Sequence, residues 1–204
     1  MEQLINNLKK KGVLKSKFIE NALLFVDRVN FVPKDLLNLV YSDEPLHIGY
    51  GQTMSQPYTI VFMLELLCIK KGNQIMEAGY GSGWQTIILS YLIGDKGKVY
   101  AFEIIKELCQ FGKNNINKYP ELARRIFLFC KSANTKLSSV KINSLDRIIV
   151  CADIKNIPKD WKDKLVVGGI IVYPNKNSIY KEIKNSDETF TKEEFYGFSF
   201  VPFV

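Results

Sequence analysis

The chain has 204 residues, of which 47% are hydrophobic, and it carries a formal net charge of +7. This length and apolar content can build one substantial core, so we predict a single domain over residues 1–204. The longest apolar run, residues 60–69, contains Glu65 and is too short to cross a bilayer, and the first residues lack the basic start and apolar middle of a signal peptide. We therefore expect a cytoplasmic protein with no membrane partner.

The excess of positive charge comes from lysines that are scattered along the chain, since only four of the basic residues are arginines. Dispersed lysine attracts polyanions weakly and does not read bases. The arginine-rich patches with interleaved aromatic residues that mark a nucleic-acid surface are missing. We therefore expect no specific nucleic-acid partner, and we expect the chain to act as a monomer.

Four cysteines and one histidine limit the metal and redox chemistry. The cysteines lie far apart and form no Cys-x-x-Cys pair, which favours reduced core thiols over disulfides or a zinc site. The single histidine, His47, argues against a His-rich metal site and against a Ser-His triad. We predict no metal ion. The four cysteines are Cys68, Cys109, Cys130 and Cys151.

The first part of the chain is predicted to contain two amphipathic helices. Apolar residues recur at helical spacing over residues 4–8 and again over residues 18–29, with a break near Gly12. Residues 32–33, Val-Pro, end the pattern, because proline disfavours helix in the residue before it. We expect these helices to pack as a cap on one side of a later sheet.

A loop over residues 41–57 follows, rich in glycine, proline and small hydroxyl residues, and it leads directly into an apolar helix. Ser55 is predicted as the N-cap of that helix, with Pro57 in its first turn. The neighbouring glycines and Thr53 also suggest a loop shaped to approach a ligand, because binding residues are often carried on loops.

Residues 74–83 are predicted to form a short apolar strand and then a turn with glycine at every second position, Gly79, Gly81 and Gly83. Such glycines adopt backbone angles that a Cβ forbids and let a ligand lie against the main chain. The dinucleotide fingerprint Gly-x-Gly-x-x-Gly needs its third glycine where Trp84 stands, which disfavours a nicotinamide oxidoreductase.

Two acids beside this turn favour S-adenosylmethionine as the ligand. Glu77 ends the strand before the turn, where it can face the ammonium of an amino-acid moiety. Glu103 ends the next strand, about twenty residues beyond the turn, where an acid can accept hydrogen bonds from both ribose hydroxyls. S-adenosylmethionine has a ribose and a cationic amino-acid tail but no phosphate, which matches this pair of acids.

Beyond Glu103, helical and strand patterns alternate, which predicts an α/β fold with a doubly wound, mostly parallel sheet. The last forty residues or so lose the helical period, and we expect antiparallel edge strands at residues 195–198 and 199–204. The predicted core strands cover residues 126–130, 145–152 and 169–173, and a short helix covers residues 161–165.

With these motifs in place, the chain resembles the protein-L-isoaspartate (D-aspartate) O-methyltransferases nearly end to end. The glycine turn alone indicates only a class I S-adenosylmethionine-dependent methyltransferase, whereas the Gly-Gln-Thr-x-Ser-Gln-Pro loop is specific to this family. The matching segments are Phe31-Val-Pro33 after the early helix, Ile48 to Pro57, Glu77 to Gly83, Asp146 to Val150 with Gly168, Gly169 and Pro174, and Phe200 to Phe203.

The resemblance implies a Rossmann-like class I fold in which residues 1–57 form a helical cap and active-site loop and residues 58–204 form the cofactor-binding core. It also implies that Ser55 is the catalytic serine. Ser132 and Ala133 stand where the family usually has a Gly-Asp pair near the adenine. The candidate cofactor-binding residues are Gln52, Thr53, Met54, Ser55, Glu77, Gly79, Tyr80, Gly81, Ser82, Gly83, Glu103, Ser132 and Ala133.

The implied reaction is methyl transfer from S-adenosylmethionine to the α-carboxylate of isoaspartyl residues in damaged proteins or peptides. A carboxylate with a pKa near 4 is already ionised at neutral pH, so this reaction requires no general base. Catalysis then consists largely of holding the carboxylate oxygen in line with the methyl group. The near absence of histidine is no obstacle to such chemistry.

Three departures from the family pattern bear on cofactor affinity and substrate choice. Lys131-Ser-Ala133 replaces the usual Gly-Asp, Pro174-Asn-Lys176 replaces Pro-Val-Gly, and the sequence ends one residue after Val-Pro-Phe203. Two alternatives stay open at this point. One is a class I methyltransferase with another acceptor, a small molecule or RNA, and the other is a degenerate S-adenosylmethionine-binding protein without turnover.

Overall fold

A mixed seven-stranded sheet forms the centre of the structure, a computed structural model that describes residues 1–133 and 144–203. The helices are α1 (Glu2–Lys10), α2 (Lys17–Phe25), α3 (Pro57–Leu67), α4 (Trp84–Ile93), α5 (Lys106–Ile116), α6 (Pro120–Ala123) and α7 (Lys159–Lys164), with short 3₁₀ helices at Arg28–Phe31 and Lys34–Leu39. The strands are β1 (Leu46–Gly49), β2 (Gln52–Met54), β3 (Gln74–Ala78), β4 (Lys98–Glu103), β5 (Ile126–Cys130), β6 (Leu145–Val150), β7 (Leu165–Asn175), β8 (Ser178–Lys184) and β9 (Phe190–Tyr196).

The sheet has the strand order β5-β4-β3-β6-β7-β8-β9. The first five strands in this order are parallel to one another. β8 pairs antiparallel with β7, and β9 pairs antiparallel with β8. The predicted doubly wound, mostly parallel fold is therefore confirmed. The chain builds outward from β3 through β4 to β5, and then returns to β6 on the other side of β3. The strand order thus reverses between β3 and β6.

Two hydrophobic cores cover the two faces of the sheet, because successive side chains of a strand point to opposite faces. Ile75 and Ile149 belong to the larger core, which also contains α3, α4 and α5, whereas their neighbours Met76 and Ile148 belong to the smaller core beside Trp161 of α7. Both faces are covered, so the central strands are mostly apolar, as buried parallel strands usually are.

The two amino-terminal helices pack into the larger core, so the predicted helical cap is present. The carboxylate of Glu65 in α3 accepts hydrogen bonds from the amides of Lys15 (2.9 Å) and Ser16 (2.8 Å) and thereby caps α2. The predicted loop over residues 41–57 contains a short antiparallel hairpin, β1–β2. Its glycines obscure the strand pattern in the sequence.

The carboxyl-terminal part confirms antiparallel strands but corrects where they lie. The edge pair is β8 with β9, whereas residues 199–203 form a single parallel bridge between Pro202 and Asp153. The Asp153 amide donates to the Val201 carbonyl (2.8 Å), and the Phe203 amide donates to the Asp153 carbonyl (2.9 Å). Pro202 has no N–H to donate to a strand ladder, which limits this segment to one bridge. Val204 lies outside the described residues.

One pair of cysteines corrects the expectation of four reduced thiols. Cys109 of α5 and Cys130 at the end of β5 form a disulfide, while Cys68 and Cys151 are free. The crossover from β4 to β5 brings α5 over the end of β5, and the spacing of the two cysteines in the sequence does not reveal this approach. Within residues 1–133 and 144–203, no group of three metal-ligating side chains is found.

None of the helices in the described part of the chain has the length and apolar character needed to span a membrane.

We expect the disulfide to stabilise the fold, because it joins residues 21 positions apart and closing such a loop contributes about 3 kcal/mol in the chain-entropy treatment. Urea denaturation with and without dithiothreitol should show this loss of stability on reduction. A Cys68→Ser variant is the control and should show the same difference as the parent. Equal stability of the oxidised and reduced forms would contradict the expectation.

Candidate active site

A cavity with an empty volume of about 830 Å³ opens at the carboxyl ends of β3, β4 and β6. The crossover after β3 carries α4 in the larger core, and the crossover after β6 carries α7 in the smaller core. The cavity therefore lies where the strand order reverses, which is where open α/β sheets usually bind their ligands.

The cavity wall brings together all but one of the residues predicted from the sequence. Three separate segments supply them: the hairpin and the residues after it, the glycine turn with the ends of β3 and β4, and the residues after β5. The predicted residues on the wall are Gln52, Thr53, Met54, Ser55, Glu77, Gly79, Tyr80, Gly81, Ser82, Glu103, Ser132 and Ala133.

The glycine turn forms the floor of the cavity. The amides of Gly79 and Tyr80 both donate to the carbonyl of Phe102, at 2.8 and 3.1 Å, and this ties the turn to β4. Gly79 and Gly81 have φ values of 88° and 47°, in the left-handed region that favours glycine. A Cβ on Gly81 would lie 3.1 Å from the Cδ1 of Ile48. The backbone angles of this turn, and at Gly81 the nearby Ile48 side chain, therefore favour glycine.

Gly83, the remaining predicted residue, is not among the described residues that line the cavity. It is the N-cap of α4, with a φ of 83°. A Cβ there would lie 2.8 Å from the Cγ1 of Ile116 and 3.1 Å from the carbonyl oxygen of Gly112. The structure therefore places this glycine where α4 and α5 pack closely.

Glu103 joins the glycine turn to the start of α5. Its Oε2 accepts a hydrogen bond from the Gly81 amide (3.0 Å), and its Oε1 accepts hydrogen bonds from the amides of Ile104 (2.8 Å) and Ile105 (3.0 Å). The side chain is buried and lines the cavity. Because each carboxylate oxygen has two lone-pair sites, the three amides leave one site, on Oε2, that can accept a hydrogen bond from a ligand.

Glu77 is a completely buried acid on the cavity wall. Its Oε1 accepts a hydrogen bond from Gln85 Nε2 (3.0 Å), and its Oε2 accepts one from Thr86 Oγ1 (2.6 Å). Burial raises the pKa of this carboxyl to about 7, although the two hydrogen bonds oppose the shift. A cation in the cavity would favour its ionised form.

Ser55 lies between β2 and α3, and the structure corrects its predicted role as a helix cap. The N-cap of α3 is Gln56, which makes no side-chain cap, and Pro57 occupies the first position. The first available amide, that of Tyr58, donates to the carboxylate of Asp43 at 2.8 Å. Ser55 therefore stands one residue before the N-cap, and Asp43 rather than Ser55 accepts from the first amide of the helix. Its hydroxyl makes no hydrogen bond within the described part of the chain.

The segment after β5 forms the far end of the cavity. The indole N–H of Trp161 donates to the Ala133 carbonyl (3.0 Å), and the ammonium of Lys131 lies 5.4 Å from the ring centre of Phe129. Phe129 in turn stacks on Phe102, with 4.7 Å between ring centres. Phe102 lines the cavity, and Lys131 belongs to the segment Lys131-Ser-Ala133 that replaces the usual Gly-Asp pair.

The sequence patterns did not predict the other residues on the wall. Some of them directly follow a strand, a position that could have drawn attention to Ile104 and Ile105 after β4. The carboxyl-terminal residues give no such signal, because only the bridge to Asp153 brings them back to the cavity. The additional wall residues are Ile48, Ile60, Trp84, Gln85, Phe102, Ile104, Ile105, Leu108, Lys131, Cys151, Ala152, Val201, Pro202 and Phe203.

The whole chain, residues 1–204, matches the family described as protein-L-isoaspartate(D-aspartate) O-methyltransferase. Among curated relatives, the protein-L-isoaspartate O-methyltransferase of Dictyoglomus turgidum is 37% identical over 98% of this chain and 89% of its own length. The protein of the same name from Ignicoccus hospitalis is 31% identical over 99% of this chain and 96% of its own length. The similarity therefore extends over the complete sequence.

Solved structures show the same fold. A Plasmodium falciparum protein-L-isoaspartate O-methyltransferase, in complex with S-adenosyl-L-homocysteine, has a TM-score of 0.87 at 23% identity, covering 98% of this chain and 96% of that one. A SAM-dependent O-methyltransferase from Thermotoga maritima has a TM-score of 0.53 at 19% identity and covers 77% of this chain and 52% of that one. At these identities the structures establish a common fold.

The raised pKa of Glu77 predicts a pH dependence of stability. Its folded-state pKa of about 7 exceeds the ordinary value of 4.5, so the folded protein holds more protons than the unfolded chain between these values. The free energy of unfolding should therefore fall as pH rises through this window, by about 3 kcal/mol from this group.

A Glu77→Gln variant tests this directly, because Gln cannot ionise. Urea denaturation between pH 5 and pH 8 should show the variant gaining stability relative to the parent as pH rises. A Glu107→Gln variant, which changes an exposed acid in the first turn of α5, should show a constant difference. A constant difference for Glu77→Gln as well would contradict the prediction.

Proposed function

The chain belongs to the protein-L-isoaspartate(D-aspartate) O-methyltransferase family, and we propose that it transfers a methyl group from S-adenosylmethionine to the α-carboxylate of L-isoaspartyl or D-aspartyl residues in damaged proteins. One observation carries the proposal. The family-specific residues 52–55 and the glycine turn, which lie on different elements, line a single cavity. A cofactor and an acceptor can therefore meet there.

The residues present fit S-adenosylmethionine. Glu103 has one acceptor site left for a ribose hydroxyl, Glu77 offers a buried negative charge for the ammonium, and Gly79 and Gly81 of the turn line the same cavity. When bound, S-adenosylmethionine supplies an electrophilic methyl group on a cationic sulfur. The neighbouring wall residues Gln52, Thr53, Met54, Tyr80, Ser82, Ser132 and Ala133 complete the proposed cofactor contacts.

The acceptor carboxylate needs orientation more than activation. It is ionised at neutral pH, so no general base is required, and the one histidine, His47, lies exposed on β1, outside the described cavity wall. The Ser55 hydroxyl donates a hydrogen bond to an acceptor oxygen and fixes its direction. Such positioning contributes about 7–11 kcal/mol at best. Apolar wall residues, including Ile60 and Phe203, exclude water.

We also propose that the chain works in the cytoplasm as a monomer and as one domain, in which residues 1–57 supply the cap and the active-site loop and residues 58–204 supply the cofactor-binding core. Light scattering tests the monomer. Disulfides are uncommon in reducing compartments, so trapping the thiols of Cys109 and Cys130 in fresh cell extract tests the location.

We expect Glu103→Ala to weaken S-adenosylhomocysteine binding about 10- to 150-fold, because a charge-assisted hydrogen bond to the ribose contributes roughly 1.5–3 kcal/mol. Isothermal calorimetry measures this affinity. The matched control is Glu107→Ala, an exposed acid on α5 that is not part of the described wall and should bind like the parent. Unchanged affinity in folded Glu103→Ala would remove this acid from the site.

We expect Ser55→Ala and Ser55→Gly to lower turnover about 10- to 1000-fold, because both lose the hydroxyl that orients the acceptor. Melting temperatures should stay close to that of the parent, since Ser55 does not cap α3. Radiolabelled methyl transfer to an isoaspartyl peptide, compared with its normal aspartyl counterpart, measures the rate.

Ser16→Ala is the control for these variants, because Ser16 precedes α2 and is not among the described wall residues. Full turnover in Ser55→Gly would end the catalytic role of this serine. A parent protein that methylates neither peptide would favour a different acceptor or a protein that only binds the cofactor.

A further inference from the structure

The segment before the β1–β2 hairpin makes hydrogen bonds to the chain just after Ser55. We propose that Asp43, in this segment, is a positioning residue that sets the direction of the Ser55 hydroxyl in the cavity. The inference rests on the proposed function, since it assigns a role within the same site. Asp43 itself is not among the described residues that line the cavity.

Asp43 contacts the chain just after Ser55 in two ways. Its Oδ1 accepts a hydrogen bond from the Tyr58 amide at 2.8 Å, and its carbonyl oxygen accepts one from Gln56 Nε2, also at 2.8 Å. On the other side of Ser55, Met54 pairs with Leu46 in the hairpin. Ser55 is therefore held between two anchored neighbours.

The helix start needs this outside contact. Pro57 stands at the first position of α3 and has no N–H, and the N-cap residue Gln56 makes no side-chain cap. A carboxylate near the amino end of a helix satisfies an unpaired amide and interacts favourably with the helix dipole. Asp43 supplies both effects from a distant segment, so the position of α3 relative to the hairpin depends on it.

The backbone around Asp43 is itself fixed, by a completely buried arginine. Arg28 lies against the ring of Trp84 on the cavity wall, with 5.4 Å between the guanidinium carbon and the ring centre. Its guanidinium donates hydrogen bonds to carbonyl oxygens on both sides of Asp43, those of Val40 (3.0 Å), Ser42 (2.8 Å) and Glu44 (2.9 Å). Asp43 is therefore a fixed point rather than a mobile surface acid.

The chain contains a matched control in Glu65. This carboxylate also caps a helix from a distant element, through the amides of Lys15 and Ser16 at 2.9 and 2.8 Å, and it is not part of the described cavity wall. Loss of either cap should destabilise the fold similarly. Only the loss of the Asp43 cap should disturb Ser55.

The first test is the single-turnover rate of methyl transfer to an isoaspartyl peptide. We expect Asp43→Ala to lower this rate about 10- to 100-fold while S-adenosylhomocysteine affinity is unchanged, because small displacements of a positioned group are costly. Asp43→Asn should recover most of the rate, since its amide oxygen can still accept from Tyr58, although it loses the ion pair with Lys11. Glu65→Ala should keep the parent rate.

The second test is amide hydrogen exchange over residues 52–58, which does not depend on the acceptor. Exchange should be faster in Asp43→Ala than in the parent and unchanged in Glu65→Ala. Parent-like rates in Asp43→Ala while Ser55→Ala is inactive would overturn the inference, as would an equal loss of rate in Glu65→Ala. If the parent itself lacks isoaspartyl activity, the proposed function fails, and unchanged exchange in Asp43→Ala would then still overturn the positioning role.

Discussion

The cavity depends on the carboxylate of Glu103. It accepts hydrogen bonds from the amides of Gly81, Ile104 and Ile105, and it thereby joins the turn after β3 to the start of α5. Without Glu103 these three amides would lose their partner at once, so loss of this one acid would loosen both segments together. The same side chain shapes the cavity floor and, in the proposed function, recognises the ribose. Structure and binding are therefore coupled in one group.

Glu77 and Arg28 are two other buried ionisable groups. Within the described residues, their hydrogen-bond partners are neutral groups rather than oppositely charged side chains. Gln85 and Thr86 donate to Glu77, and Arg28 donates to three backbone carbonyls. Burial raises the pKa of Glu77 to about 7 and lowers that of Arg28 to about 10. Burying an ion is costly, so these groups contribute defined geometry rather than maximal stability. One orders the cavity wall, and the other orders the segment before the hairpin.

Local patterns mispredicted three features of the chain, and the reasons are similar. A serine before proline at a helix start predicts a cap at Ser55, but Asp43 approaches from another segment and takes the amide. The spacing of Cys109 and Cys130 predicts free thiols, but a crossover brings them together. An apolar ending predicts an edge strand at residues 199–204, but residues 201–203 return to the cavity through one bridge. In each case a contact between distant segments overrides a local preference.

The sequence by itself determined the features that lie within one element or between neighbours along the chain. These include the strand and helix alternation, the glycine turn, and Glu77 and Glu103 at their strand ends, because hydrophobic period and turn chemistry are local properties. Only the tertiary structure decided that Gly83 serves the packing of α4 on α5, that Asp43 caps α3, and that residues 201–203 line the cavity. These outcomes depend on how closely distant segments approach in space, and spacing along the chain does not record that distance.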